Sequence, residues 1–175
     1  MKRHASKIDL RFGLEEDNTF KAIRNYTVLN GGSRINVSSY VASVAGILGT
    51  GPYNFDYADI WSRPQHTTAV VAGSMRGFGA FQSFFAVESL VDEIAAQKGV
   101  DPIDLRLQNL LKKGTPISTG APVAPPGLRE ICESAKNHDP WRDRDILKRD
   151  PSSEGIGHTS WLLAQRPSIG VMLNP

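Results

Sequence analysis

The chain reads as a mixed α/β (α+β) domain, and three features predict this. Apolar and polar residues alternate at period two near the start of the chain, the pattern of half-buried strands. From about Gly79 to Gln97 the apolar residues recur at helical spacing. Between such segments stand glycine and proline clusters that end regular structure. The 175 residues are 40% hydrophobic and 22% charged, a composition that supports a packed core.

Lys7 to Phe12 alternates cleanly and predicts a strand. Glu15 to Thr19 is a polar turn, and Phe20 to Leu29 resumes an approximate alternation. Together they predict a β-hairpin that ends at Asn30-Gly31-Gly32. Val37 to Leu48 places Val37, Tyr40, Val41, Val44 and Ile47-Leu48 at helical spacing, with Ser38 or Ser39 as the expected cap. Gly49-Thr50-Gly51-Pro52 stops that helix. Tyr53 to Trp61 and Thr67 to Ala72 are expected to be extended.

The helix over Gly79–Gln97 offers a broad apolar face of Phe81, Phe84, Phe85, Val87, Leu90, Val91, Ile94 and Ala95, with Gly99 as its C′ residue. Asp101-Pro102 opens the next helix, with Asp as N-cap and Pro at the first helical position. Its expected stripe is Ile103, Leu107, Leu110 and Leu111. Residues 115–127 carry four prolines and two glycines and read as a long loop. Leu128 to Asn137 and Trp141 to Lys148 are expected helices, and a strand-rich segment is expected from Ile156.

Composition excludes several function classes. The net charge of +2 gives no reason to invoke nucleic acid or an anionic membrane. Val37 to Pro52 is the longest weakly polar stretch and is too short to span a bilayer. The single cysteine, Cys132, can hold neither an iron–sulfur cluster nor a thiolate zinc site by itself. It fits a reducing, cytoplasmic setting, with a periplasmic one still open, and Met1 to Phe12 has no apolar signal region. His4, His66, His138 and His158 do not pair at metal-ligand spacing, and no nucleophile elbow or P-loop motif occurs.

Ser74 to Gln82 stands apart. In Arg76-Gly77-Phe78-Gly79 two glycines bracket a phenylalanine just before the strongest helix. Glycine permits close backbone approach to a ligand. The first N–H groups of a helix favour an anionic or oxo group, and Arg76 adds a planar cationic fork. Phe78 could meet a flat substrate there, or it could be the core plug of a tight turn; spacing alone leaves both open.

Arg76-Gly77-Phe78-Gly79, then Gln82, Glu88, Asp92-Glu93 and Ala95, then Asp101-Pro102, Arg106 and Asn109-Leu110-Leu111 form an ordered series. It resembles the molybdenum-binding, molybdopterin-carrying subunit of the xanthine dehydrogenase/aldehyde oxidase family. Arg3-His4, Leu29-Asn30-Gly31-Gly32, Gly51-Pro52-Tyr53 and Thr67-Thr68 agree with the flanking segments of that family's pattern. The resemblance covers most of Met1 to about Gly157 and is weaker beyond.

The resemblance implies a molybdenum–molybdopterin cofactor, with no iron–sulfur cluster and no flavin on this chain itself. It matches Arg76 to an arginine beside the molybdenum, Gly77 and Gly79 to glycines that let the loop approach the cofactor, and Phe78 to the aromatic residue that packs on the substrate. Glu88 is expected to be a structural acceptor for a nearby loop N–H. The family's glycine-rich cofactor loop and its catalytic glutamate have no match in these residues. No catalytic base is therefore assigned, and the chain by itself is expected to be inactive. Purine-oxidising members carry an arginine on the helix matching Val37–Leu48, which has none here, Val44 being the nearest equivalent; the resemblance therefore implies an aldehyde or a less polar aromatic N-heterocycle as substrate. Iron–sulfur partners, with flavin or cytochrome ones, would take the electrons.

The implied organisation is residues 1–114 as part of the molybdopterin-binding domain, 115–127 as a loop, and 128–175 as a truncated continuation. A second reading remains open: a non-catalytic remnant, or a small binding domain.

Overall fold

A computed structural model of the chain describes residues 2–122 and 127–143. Strands β1 (Ser6–Leu14) and β2 (Phe20–Gly32) form the expected antiparallel hairpin, with Leu10 opposite Asn25 and Phe12 opposite Ile23. The alternation places Lys7, Asp9 and Arg11 in solvent and half-buries Ile8, Leu10 and Phe12. Asn18 closes the turn with a φ of 69° and an N–H bond to the Glu15 carbonyl at 3.0 Å. Helix α1 (Ser38–Ile47) carries the chain across to strand β3 (Tyr57–His66), which pairs parallel to β2. The sheet order is β1-β2-β3.

The structure corrects the expected strands. β3 starts at Tyr57 and runs through Pro64 to His66, whereas Tyr53 turns into the core. Proline is tolerated because β3 is an edge strand and needs no donor on its outer side. Thr67 to Ala72 makes no strand beyond a single bridge from Ala72 to Lys2. There the Thr67 hydroxyl donates to Asn30 Oδ1 at 2.7 Å and accepts from the Ala69 N–H, and such side-chain bonds compete with a ladder.

Helix α2 (Ala80–Lys98) ends at Gly99, whose left-handed φ of 66° lets Val100 bond back to the Ala95 carbonyl. Helix α3 (Pro102–Asn109) is capped as expected: the Asp101 carboxylate accepts from Ile103 N at 2.8 Å and Asp104 N at 3.2 Å. Leu110 and Leu111 lie past its end but stay buried, and Leu107 is half-buried. Helices α4 (Leu128–Lys136) and α5 (Asp139–Arg142) follow. The remainder of the Trp141–Lys148 expectation and the segment from Ile156 lie outside the described residues.

The main core joins β2, α2, α3 and α4 through Phe20, Tyr53, Val87, Val91, Ile94, Ile103 and Cys132. A second packs α1 on the sheet through Leu29, Val41, Ala42 and Ala45. The expected apolar face of α2 is therefore only partly right. Val87, Val91, Ile94 and Ala95 are buried, Phe81, Phe84 and Leu90 are half-buried, and Phe85 is 78% exposed.

Candidate site at the start of helix α2

Residues 76–79 form a tight left-handed turn. Gly77, Phe78 and Gly79 have φ of 88°, 51° and 99° in succession. Phe78 N–H donates to the Met75 carbonyl at 3.0 Å, and Ala80 N–H to the Gly77 carbonyl at 2.8 Å. The left-handed region costs a non-glycine residue about 1–2 kcal/mol, so Phe78 is held there by its surroundings.

The two glycines are needed for different reasons. A Cβ on Gly77 would stand 2.2 Å from the Phe81 ring, and one on Gly79 would stand 2.2 Å from the Val41 carbonyl oxygen. Gly79 thus lets α2 start in contact with α1, and Gly77 gives the Phe81 ring its seat. Gly79 is buried, while Arg76 and Gly77 are exposed.

Phe78 is half-buried, with its ring on α1. It touches the cluster of Leu29, Val41, Ala42 and Ala45 and the cluster of Val44, Leu48 and Ala80, which Phe84 also joins. Phe78 therefore contributes to packing as well as lining the turn. Among the described residues the Arg76 side chain makes no ion pair, and no side chain caps the N-terminus of α2.

Residues that sequence reasoning did not assign a role hold this turn. Arg3 Nη1 donates to the Arg76 carbonyl at 3.2 Å, and its guanidinium lies 4.5 Å from the Phe81 ring centroid. His4 is buried, with Nε2 2.8 Å from Ser38 Oγ. Ser38 therefore serves His4 and does not cap α1, which begins with Val37 as an uncapped N-cap residue. Gln82 Nε2 donates to the His4 carbonyl at 3.2 Å. His4 Nδ1 and Gln82 Oε1 are buried without a hydrogen-bond partner. Burial holds the His4 imidazole below its ordinary pKa. The signal in the sequence was the Arg3-His4 pair and Gln82, but no spacing rule places them together.

Glu88 lies eight residues beyond Ala80, about 12 Å along the helix. It accepts the Tyr53 phenol at 2.9 Å on both carboxylate oxygens and pairs with Arg106 Nη2 at 2.8 Å. Arg106 also reaches Asp92 at 2.7 Å. The expected loop N–H acceptor is thus an anchor between the loop at Tyr53 and helix α3. Burial and the Glu88 carboxylate push the Tyr53 phenol far up. Burial opposes the Arg106 charge, but Tyr53, Glu88 and Asp92 raise its pKa overall.

A family model for the molybdopterin cofactor-binding domain matches residues 1–110. The chain belongs to this family. It is 33% identical over 144 residues to the xanthine dehydrogenase molybdenum-binding subunit of Escherichia coli O157:H7, covering 81% of this chain and 19% of that protein. It is 30% identical over 120 residues to the aldehyde oxidoreductase of Megalodesulfovibrio gigas, covering 68% of this chain and 13% of that one. The solved aldehyde oxidoreductase from Desulfovibrio gigas superposes with a TM-score of 0.72 at 25% identity, over 84% of this chain and 16% of that chain. Quinoline 2-oxidoreductase from Pseudomonas putida 86 shares the fold, with a TM-score of 0.72 at 18% identity over 84% of this chain and 20% of that chain. The chain thus spans about a fifth or less of each of these relatives.

Within this molybdopterin-binding fold the start of α2 fits an oxo or anionic edge of a cofactor. No side chain caps this helix, the Ala80 N–H is taken by the Gly77 carbonyl, and the exposed Arg76 supplies the cation beside it. Among the described residues no cluster of three or more His, Cys, Asp or Glu is placed to ligate a metal directly. No helix among them is long and apolar enough to cross a membrane.

Proposed function

We propose that the Arg76–Gly79 turn is one wall of a molybdenum hydroxylase site that takes a small aldehyde or an aromatic N-heterocycle of low polarity. When bound, the molybdenum–molybdopterin group supplies an electron sink and a Lewis acid, and water supplies the oxygen. Arg76 holds the anionic edge of the cofactor through its planar donors. Gly77 and Gly79 shape the backbone that lies against it. Phe78 orients the flat face of the substrate by offset stacking and excludes water behind it.

The observation that carries this reading is the left-handed Phe78, set between two glycines and backed by Val44, Leu48 and Phe84. A strained aromatic at a ligand-facing turn is where function is expected. The substrate class is supported by α1, which carries no charged side chain, and by the buried Val44 beside Phe78. An apolar wall leaves the polar groups of a purine unpaired, and a site rejects groups it cannot hydrogen-bond. Electrons leave through iron–sulfur partners and a flavin or cytochrome. Residues 128–175 continue the domain of 1–114 across the 115–127 loop, and a cytoplasmic location suits the single buried Cys132.

The test is elemental analysis for molybdenum in the protein as its host produces it, followed by dye-linked oxidation of one aliphatic aldehyde, one N-heterocycle and one purine. Molybdenum with turnover of the first two is expected. A molybdenum-free protein would return the chain to a non-catalytic binding role, and a preference for the purine would overturn the substrate class.

A further inference from the structure

We infer that Arg3 is a positioning residue that sets the conformation of the Arg76–Gly79 turn; its relevance to substrate rests on the reading above. The turn has few bonds of its own. Two backbone hydrogen bonds close it, and its central residue, Phe78, sits at a φ of 51° that an isolated peptide avoids. Something outside the turn must hold it, and the N-terminal segment lies where it can. Lys2 bridges Ala72, and the Gly73 N–H donates to the Lys2 carbonyl at 3.0 Å, so residues 2–4 run beside the approach to the turn.

Arg3 then makes two contacts with different parts of the turn. Nη1 donates to the Arg76 carbonyl at 3.2 Å, and the guanidinium Cζ lies over the Phe81 ring, 4.5 Å from its centroid. The ring in turn occupies the space above Gly77, where a Cβ would stand only 2.2 Å from it. Arg3, Phe81 and Gly77 form a stack, and the carbonyl bond fixes the orientation of the peptide after Arg76. The next residue anchors the segment: His4 is buried on Ser38 of α1, and Gln82 of α2 holds its carbonyl. The segment that carries Arg3 is therefore tied through His4 to both helices that frame the turn. Arginine suits this role because one planar group can stack and donate at once; lysine can supply the charge but not the stacked plane.

The experiment is hydrogen exchange read by mass spectrometry on the protein as its host produces it, comparing wild type with Arg3→Ala, Arg3→Lys, Phe81→Leu and the Arg3→Ala/Phe81→Leu double variant. In Arg3→Ala, exchange over residues 75–80 should quicken about tenfold, while the β1–β2 hairpin keeps its wild-type rate. Arg3→Lys should recover part of the protection, and Arg3→Ala should quicken exchange less in the Phe81→Leu background than in wild type, because only the carbonyl bond is left to lose there. Unchanged exchange at 75–80, or acceleration spread evenly over the whole chain, would overturn the inference. If Arg3→Ala does not accumulate, Arg3→Lys carries the same test with a smaller local increase expected. These readouts need no molybdenum. A molybdenum-free wild type would refute the functional reading and leave this inference to be judged on exchange alone.

Discussion

A Cβ placed on Gly79 would stand 2.2 Å from the carbonyl oxygen of Val41, so helix α2 begins in direct contact with the backbone of α1. The neighbour is main chain and cannot swing aside. Gly79 also has a φ of 99°, which L side chains rarely adopt. Gly79→Ala should therefore destabilise the protein by about 2–5 kcal/mol, from backbone strain and overpacking together. Urea unfolding measures it. A loss under about 0.5 kcal/mol, the range of an ordinary surface change, would mean that α1 and α2 are not held this closely.

Phe78 gives two separable outcomes. Its ring is half-buried on α1, so Phe78→Ala should cost less than the roughly 3–5 kcal/mol of a full core phenylalanine. Phe78→Gly should be more stable than Phe78→Ala by about 1 kcal/mol, because the left-handed φ of 51° suits glycine. At an ordinary position the order is reversed. On the proposed reading, Phe78→Ala also lowers kcat/KM for a flat heterocycle by roughly three- to thirtyfold and spares a small aliphatic aldehyde. Kinetics on both substrates beside a thermal melt would separate the roles. A large, substrate-independent loss of stability returns Phe78 to the core alone.

The Glu88–Arg106 pair is a structural anchor, and its two carboxylate partners should respond differently. The Arg106 side chain is only 2% exposed and Glu88 14%, whereas Asp92 is 60% exposed. Glu88→Gln leaves a buried guanidinium short of its counter-charge, which typically costs about 3–5 kcal/mol. Asp92→Asn breaks a bond at the surface end and should cost about 1 kcal/mol or less. Equal effects in denaturant unfolding would contradict the burial difference. Molybdenum content per folded molecule should stay at the wild-type level in both.

Much of the fold was legible because local rules and tertiary packing agree there. Lys7 to Phe12 alternates and sits half-buried on the sheet, and Asp101 and Gly99 do the capping chemistry their types favour. Reading failed where a partner distant in sequence decides. Ser38 looked like a cap until His4, across the fold, took its hydroxyl. The expected extended run from Tyr53 to Trp61 gives way to β3, which starts at Tyr57 and passes through Pro64 because it is an edge strand. Phe85 looked like core, but it shares a stripe with Ser89 and Asp92 and turns outward. The same applies to the candidate site. Arg76 to Gly79 stood out through its glycines, whereas Arg3, His4 and Gln82 have no local signature and are joined to it only by the folded chain.

His4 should make stability depend on pH. Burial lowers its pKa in the folded protein below the ordinary 6.5, with Nε2 on Ser38 Oγ and Nδ1 enclosed without a partner. Protonation would place an imidazolium in that enclosure, with the exposed Arg3 guanidinium as its neighbour in sequence. The unfolded chain takes up its proton near pH 6.5 while the folded chain still refuses it. Below that pH the unfolded state binds more protons, so stability falls as pH falls and is fully present above it. The slope from one group is at most about 1.4 kcal/mol per pH unit and ends once the folded imidazole also titrates. His4→Gln keeps a side chain that can bond Ser38 and removes the titration. Urea midpoints taken from pH 7.5 down to 5 should therefore slope more steeply in wild type than in His4→Gln. Parallel slopes would show that His4 accepts its proton as readily in the fold as outside it, and would remove the case for a sealed histidine behind the turn.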